Sequence, residues 1–248
     1  MIQYSLGSLR FQAMAISELE SAISKEINSS ESVQRNCFRL LNAYCVALAD
    51  TNEDYNRLVS KEGINLIDGT PLSWVLSAKY RSAVKSTRGP DVFEKIIESG
   101  ESNSFHHFFL GATDETLQRV LSRLKVRYPD AKAAYYSPPF ATVEDTDIEG
   151  IVARIIQSNA DLVWVGLGTP KQDFVASEIN KRLNITTIAV GAAFNFYAGT
   201  VKEAPKALRN TGLEWVFRLF QEPRRLWKRY LFGNIKFILA VLKMWGRK

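Results

Sequence analysis

The chain has 248 residues, of which 46% are apolar, and only two cysteines, Cys37 and Cys45. This length fits one large domain or one domain with an appendage, and the apolar fraction is typical of a globular protein. Two cysteines outside a CxxC spacing exclude a disulfide framework and indicate a reducing, cytoplasmic setting. The first twenty residues lack the apolar stretch of a secretory signal.

The net charge of +6 is concentrated at one end of the chain. The segment from Lys202 to Lys248 has 12 basic and 3 acidic residues, so it carries +9 and the other 201 residues carry −3. A basic tail on a slightly acidic body indicates a local anionic partner rather than a protein that binds nucleic acid over its whole surface.

The predicted elements alternate between strands and helices. In chain order they are a helix over 17–27, strands over 37–41 and 64–68, a helix from Pro71 to about Tyr80, a strand over 106–111, a helix with Asp114 as its N-cap, a strand over 131–137, a helix over 147–158, a strand over 161–168, a helix opened by Pro170 and a strand over 186–192. This alternation predicts an α/β fold, with a Rossmann-like, mostly parallel sheet flanked by helices.

The pattern changes after Gly199, where no further strand is predicted and the helices are rich in Trp, Phe, Arg and Lys. We therefore expect an α/β core over 1–199 and a basic helical appendage over 200–248.

Ligands of open α/β sheets bind at the carboxyl ends of strands, so candidate site residues should follow the predicted strands. Asp68 follows one strand and Gly111 ends another. The GLGTPKQ turn over 166–172 combines glycines, a helix start, a cation and an amide, which suits a phosphate, although an ordinary strand-to-helix turn explains it equally well. For Asp68 the alternative is a helix-capping aspartate.

Two further sets of polar residues favour structural interpretations. His106 and His107 begin a strand and have no carboxylate or cysteine at metal-ligand spacing, so we interpret them as structural. The acidic EDTD segment over 144–147 could hold Mg²⁺ under a diphosphate, but its position before a helix favours a solvated cap.

At these residues the sequence resembles the WecG/TagA/CpsF glycosyltransferase family (glycosyltransferase family 26). The similarity covers about residues 35–230, with specific elements in GLGTPKQ, in GLEWxxRL from 212 and in EPRR from 222. The remaining shared segments are Asn42-Ala43, DGTP (68–71), RGPD (88–91), FFLGAT (108–113), YP (128–129), VGAAFNFYAG (190–199) and EAP (203–205).

The resemblance implies an inverting, metal-independent hexosyltransferase that needs no cofactor. Such an enzyme moves a sugar from a UDP-sugar donor to a polyprenyl-diphosphate-linked acceptor in surface polysaccharide or teichoic acid synthesis. Asp68 matches the position of the general base. The substrate-binding positions it implies are Asn42, Gly69, Thr70, Arg88, Gly111, Gly168, Thr169, Pro170, Lys171, Gln172, Asn195, Arg218, Arg224 and Arg225.

The chain departs from the family pattern at several positions. Leu40 stands where the family has threonine, Glu203 where it has arginine, and Asn195 where it has aspartate. Ala192 replaces a glycine, and the segment 137–140, Ser-Pro-Pro-Phe, replaces a glycine-rich turn. These changes leave open a different donor sugar or a non-catalytic nucleotide-sugar-binding partner protein with the same fold.

The tail from Arg224 onward interleaves eight basic residues with aromatic and aliphatic ones. Its longest apolar run, 237–242, is too short to span a bilayer, so the pattern predicts a helix lying on an anionic membrane surface. A helix packed on the body is the alternative, and base stacking on nucleic acid is disfavoured by the acidic body. We expect a cytoplasmic protein, peripheral on the inner face of the membrane, and leave homo-oligomerisation open.

Overall fold

The computed structural model describes residues 2–29, 34–209 and 211–245, without the side chains of residues 206, 225, 228 and 229. The strands are β1 (Ile2–Leu6), β2 (Leu9–Ala13), β3 (Cys37–Leu41), β4 (Ile64–Ile67), β5 (His106–Gly111), β6 (Lys132–Tyr136), β7 (Leu162–Gly166) and β8 (Thr186–Ala189). The helices are α1 (Ile16–Asn28), α2 (Ala43–Thr51), α3 (Glu53–Lys61), α4 (Thr70–Tyr80), α5 (Gly89–Ser102), α6 (Asp114–Arg127), α7 (Ile148–Gln157), α8 (Lys171–Leu183), α9 (Ala193–Ala198), α10 (Glu214–Gln221) and α11 (Pro223–Trp245), with a 3₁₀ turn at Lys206–Leu208.

The strands follow the order β1-β2-β4-β3-β8-β7-β5-β6, and the described pairings other than β1–β2 are parallel. This mostly parallel sheet flanked by helices confirms the predicted α/β class. The chain forms two compact units. The first contains Met1–Met14, Leu40–Arg88 and Val201–Lys248, and the second contains Ala15–Arg39 and Gly89–Thr200.

The first unit begins with the antiparallel hairpin of β1 and β2, which the sequence analysis did not predict. Helix α11 packs along α2 in the same unit. The buried side of α11 carries Leu226, Phe237, Ala240, Val241 and Met244. An ion pair of 2.6 Å between Lys243 Nζ and Asp50 Oδ1 reinforces this packing.

One apolar core cluster of the second unit is built mainly from the strands β5, β7 and β8 and the helices α7 and α8. One local prediction here is wrong, because Thr113 rather than Asp114 is the N-cap of α6. The Thr113 hydroxyl oxygen accepts a hydrogen bond of 3.2 Å from the Thr116 backbone N–H. Asp114 lies in the first turn, where its carboxylate accepts a bond from Gln118 Nε2.

The structure supports the structural interpretation of two sets of polar residues. His107 is 1% exposed and its Nδ1 accepts a hydrogen bond of 3.1 Å from Trp164 Nε1. Burial lowers the pKa of His107 to about 3, so the ring is neutral. Asp147, the last residue of the EDTD segment, caps α7 by accepting a bond of 2.8 Å from the Gly150 N–H.

Candidate active site

Asp68 stands where β4 ends and α4 is about to begin, as expected of a site residue in a parallel sheet. Its backbone N–H donates a hydrogen bond of 2.9 Å to the carbonyl oxygen of Leu41 at the end of β3. Gly69 occupies the N-cap position of α4 and Thr70 is the first, buried residue of the helix. The half-buried Asp68 side chain is thus held at a fixed point at the carboxyl end of β4.

Asn42 lies beside Asp68 and is the N-cap of α2. Its Oδ1 accepts hydrogen bonds from the backbone N–H groups of Tyr44, at 3.1 Å, and Cys45, at 3.4 Å. Its Nδ2 donates to Asp68 Oδ2 over 3.4 Å. The residue predicted as a substrate ligand therefore already contacts the predicted base.

Arg88 contributes a cation to the surroundings of Asp68, and two carboxylates bind it in turn. Its Nη2 lies 3.0 Å from Glu203 Oε2, and its Nε lies 3.6 Å from Glu214 Oε2. Arg209 Nη2 is a second cation on Glu203, at 3.1 Å. Only 12% of the Arg88 side chain is exposed, so these ion pairs are shielded from screening by solvent.

These surroundings raise the pKa of Asp68 from 3.8 to about 6. Burial, which penalises the ionised carboxylate, is the largest cause. The Asn42 hydrogen bond and the charges of Arg218 and Arg88 lower the pKa, whereas Glu214 raises it. The carboxylate is consequently ionised at neutral pH, yet it binds a proton more readily than an ordinary aspartate.

Glu214 was not predicted as part of this site. It lies four residues before Arg218 on α10, a spacing that places the two side chains on one face of the helix. Its four-residue spacing from Arg218 is the feature of the sequence from which Glu214 could have been predicted.

In the second unit, the carboxyl ends of β5 and β7 come very close together. Gly111 and Gly166 are paired in the sheet, and a Cβ added to Gly111 would lie 2.5 Å from the carbonyl oxygen of Gly166. Gly168, two residues later, has φ of +82° and no atom within 4 Å of an added Cβ. The Cα of Gly168 therefore faces open space, whereas Gly111 is required for the close approach of two strands.

The turn after β7 is closed by its own side chains. Gln172 is 2% exposed, and its Oε1 accepts a hydrogen bond of 3.2 Å from the Gly168 N–H. Thr169 and Pro170 are joined by a cis peptide bond, and α8 begins at Lys171. Lys171 Nζ donates to the Ala141 carbonyl oxygen at 2.8 Å, and partial burial lowers its pKa.

The remaining predicted site residues lie on helices. Asn195, on α9, donates from Nδ2 to the Thr200 hydroxyl over 3.3 Å. Arg218 is half-buried on α10, and Arg224 is exposed in the first turn of α11. Arg225 also belongs to α11, but its side chain falls outside the described residues.

The structure thus brings Asp68, Asn42, Arg88 and Arg218 together in the first unit, and the residues from Gly166 to Gln172 in the second. Within the described ranges, no three histidine, cysteine, aspartate or glutamate side chains converge in a way that could hold a metal ion.

Comparison with known proteins decides the family. The model of the glycosyl transferase WecG/TagA/CpsF family matches residues 4–248. The chain belongs to this family. Similar proteins include the N-acetylglucosaminyldiphosphoundecaprenol N-acetyl-beta-D-mannosaminyltransferases of Bacillus subtilis (strain 168) and Bacillus spizizenii (strain W23). They are 30% and 28% identical over 193 residues, which is 77% of this chain and 73% of each relative.

Three departures from the WecG/TagA/CpsF pattern have defined partners in the structure, and the partner of Asn195 is the Thr200 hydroxyl described above. Glu203 binds both Arg88 and Arg209, so the acidic substitution joins a charge cluster. Ser137, in the segment that replaces the glycine-rich turn, donates from its hydroxyl to the Ala112 carbonyl oxygen at 2.8 Å. That bond ties the end of β6 to the residue after β5. Leu40, another departure, is a buried apolar residue of β3.

Proposed function

We propose that this protein is an inverting hexosyltransferase that moves a hexose or N-acetylhexosamine-type sugar from a UDP-sugar to a polyprenyl-diphosphate-linked acceptor. The acceptor class is that of bacterial surface polysaccharide or teichoic acid synthesis. The observation that carries the proposal is Asp68, a carboxylate at a strand end whose pKa is raised to about 6 beside two arginines. A general base works best when its pKa lies near the operating pH.

In the proposed step, Asp68 takes the proton of the acceptor hydroxyl while that oxygen forms a bond to the anomeric carbon of the donor sugar. The bond from this carbon to the diphosphate oxygen breaks on the opposite face, and UDP leaves with the electron pair. Attack from the opposite face inverts the configuration. Asp68 ends the step protonated and returns its proton to solvent.

Arginines and backbone N–H groups can stabilise the departing diphosphate without a metal ion. Arg218 is the best supported candidate, because its charge already acts on Asp68. Arg224 and Arg225 follow at the start of α11. In the second unit, we assign the nucleotide to the turn from Gly168 to Gln172, because it combines a glycine, a helix N-terminus and the cation of Lys171.

UDP release by the purified protein tests the proposal. The names of the relatives make UDP-N-acetylmannosamine and N-acetylglucosaminyldiphosphoundecaprenol the first donor and acceptor to try. We expect release to need both, to survive EDTA, and to fall at least ~100-fold in Asp68→Asn. Asp130→Asn, which changes an exposed turn residue, is the matched control. Binding of UDP-sugars without turnover on any acceptor would instead favour the non-catalytic partner protein.

We further propose that α11 rests on an anionic membrane, where a polyprenyl-linked acceptor would be met. On the side away from α2, exposed apolar residues recur every three or four positions. These are Leu231, Ile235, Ile238 and Leu242, each more than half exposed, with Trp227 and Trp245 in line with them. The exposed Lys236 follows Ile235 in the chain. No helix among the described residues is both long and apolar enough to cross a membrane.

Vesicle sedimentation tests this surface. We expect the intact protein to sediment with vesicles that contain phosphatidylglycerol, and the Leu231→Gln/Ile235→Gln/Ile238→Gln variant to bind at least about tenfold more weakly, because it loses apolar area at the interface. Ile156→Gln removes an isoleucine of similar exposure (59%) from α7 and should leave binding unchanged. Equal recovery of wild type and triple variant in the supernatant would refute the assignment.

A further inference from the structure

Asn42 makes two kinds of hydrogen bond at once, and together they define its role. We infer that Asn42 is a positioning residue that orients the Asp68 carboxylate and stabilises its ionised form, rather than a ligand of either substrate. This inference rests on the proposed function only in taking Asp68 as the base. The bonds on which it depends lie entirely within the first unit.

The start of α2 fixes which end of the Asn42 amide faces Asp68. Because the backbone N–H groups of Tyr44 and Cys45 are donors, the oxygen of the Asn42 amide must point toward them. A flipped amide would set donor against donor at the helix and oxygen against the carboxylate. The Nδ2 group is thereby directed at Asp68 Oδ2.

The backbone ties the two residues together as well. β3 and β4 are neighbours in the sheet, and the Asp68 N–H donates to the carbonyl oxygen of Leu41, the residue before Asn42. Both side chains therefore start from adjacent points on a hydrogen-bonded frame. Such a frame fixes the direction of the amide more firmly than a loop would.

The charged groups that act on Asp68 come from two other segments. Arg88 precedes α5, and Glu214 and Arg218 lie on α10. Glu203 binds Arg88, and Arg209 binds Glu203, so these two residues act on Asp68 only indirectly. Among the influences that lower the pKa of Asp68, the Asn42 bond is the largest. Removing it should therefore leave the carboxylate harder to ionise while the arginines stay in place.

The test compares two asparagines that both cap helices in the first unit. Asn42→Ser retains a residue suited to capping α2 but shortens the side chain and removes the N–H that reaches Asp68. Asn52→Ser makes the same change at the N-cap of α3, where Asn52 accepts from the Tyr55 N–H at 2.8 Å. Asn42→Asp also retains a cap, but it places a second carboxylate against Asp68.

Two readouts are needed, the pH profile of kcat/KM and the titration of Asp68 in the ligand-free protein by carboxyl-carbon NMR. In Asn42→Ser we expect the midpoint of the acid limb of the kcat/KM profile and the pKa of Asp68 measured by NMR to rise by about one pH unit each. This is the shift expected from the loss of one hydrogen bond to a charged group. Asn42→Asp should move them further, and Asn52→Ser should not move them. Well above the acid limb, Asn42→Ser should show a lower kcat with a KM close to that of wild type, because the carboxylate loses the hydrogen bond that orients it.

An unchanged Asp68 titration in both Asn42 variants would overturn the inference. So would a rise in KM at all pH values without a shift of the acid limb, because that is the behaviour of a substrate ligand. The NMR titration is independent of turnover. Full activity of Asp68→Asn would therefore refute the proposed base, whereas the coupling between Asn42 and Asp68 would be judged on the titration alone.

Discussion

Replacing Asp68 by asparagine should lower turnover at least ~100-fold and at the same time make the protein more stable. The aspartate is ionised at neutral pH in a place where burial opposes ionisation, and its pKa is raised from 3.8 to about 6. Folding at neutral pH therefore carries the cost of burying a charge. An asparagine has a similar shape, carries no charge and presents an oxygen that can still accept the Asn42 hydrogen bond.

The size of the effect follows from the pKa difference. A shift of roughly two units at about 1.4 kcal/mol per unit gives about 3 kcal/mol. Because the pKa is higher in the folded state, the folded protein binds the proton more tightly than the unfolded chain. The penalty is therefore absent below pH 3.8, grows as the pH rises, and is complete above pH 6. At pH 5 it should be about half of its full value.

Urea unfolding of wild type and Asp68→Asn at pH 7.5 and pH 5 measures this directly. We expect Asp68→Asn to gain up to about 3 kcal/mol at pH 7.5 and about half as much at pH 5, with unchanged m-values. Asp130→Asn should differ little from wild type at either pH. A variant of unchanged or lower stability at pH 7.5 would show that Asp68 is not desolvated, and the argument for its raised pKa would fail.

Three further predictions concern the scaffold and the chemistry. Gly111→Ala should lower the free energy of unfolding by about 3 kcal/mol or more, since its Cβ would meet the Gly166 oxygen. Gly168→Ala should lower it by about 1 kcal/mol, from backbone strain alone, and urea unfolding of the two variants measures the difference. A double-mutant cycle on Asp50 and Lys243 should give a coupling of at most about 1 kcal/mol, because the Lys243 side chain is half exposed, and a larger value would contradict the solvent-screened ion pair. UDP release should be insensitive to EDTA, and restoration of an EDTA-inhibited rate by Mg²⁺ would refute the metal-independent step.

Periodicity predicted most of the sheet, because buried parallel strands are continuous apolar runs between amphipathic helices. It did not predict the hairpin of β1 and β2, although a signal was present. Tyr4, Leu6, Leu9 and Phe11 are buried and alternate with polar residues across the Gly7-Ser8 turn. This period of two is typical of a half-exposed antiparallel pair, and it differs from the continuous apolar runs of the buried parallel strands in an α/β fold.

Site residues at strand ends were predictable for a similar reason. Asp68 and Asn42 follow adjacent strands, so topology alone places them at one edge of the sheet. The ion pair between Arg88 and Glu203 was not predictable, because 115 positions separate its partners and no local pattern records it. In the sequence, Glu203 differs from the family pattern but carries no sign of its partners, which the fold brings to it from distant positions.

The surroundings of Asp68 go against the rules that stabilise the rest of the first unit. Elsewhere in that unit apolar side chains form a buried core and the starts of α2 and α3 are capped, whereas here a desolvated carboxylate stands near Glu214 and is only partly compensated by Arg88 and Arg218. A chain selected for stability alone would place an uncharged residue at position 68. A charge held at a cost of about 3 kcal/mol is expected where a proton has to be accepted. The hydrogen-bonded frame of β3, β4 and the α2 cap holds the backbone of Asp68 and the amide of Asn42 in place, so the carboxylate keeps its partner at this strand end.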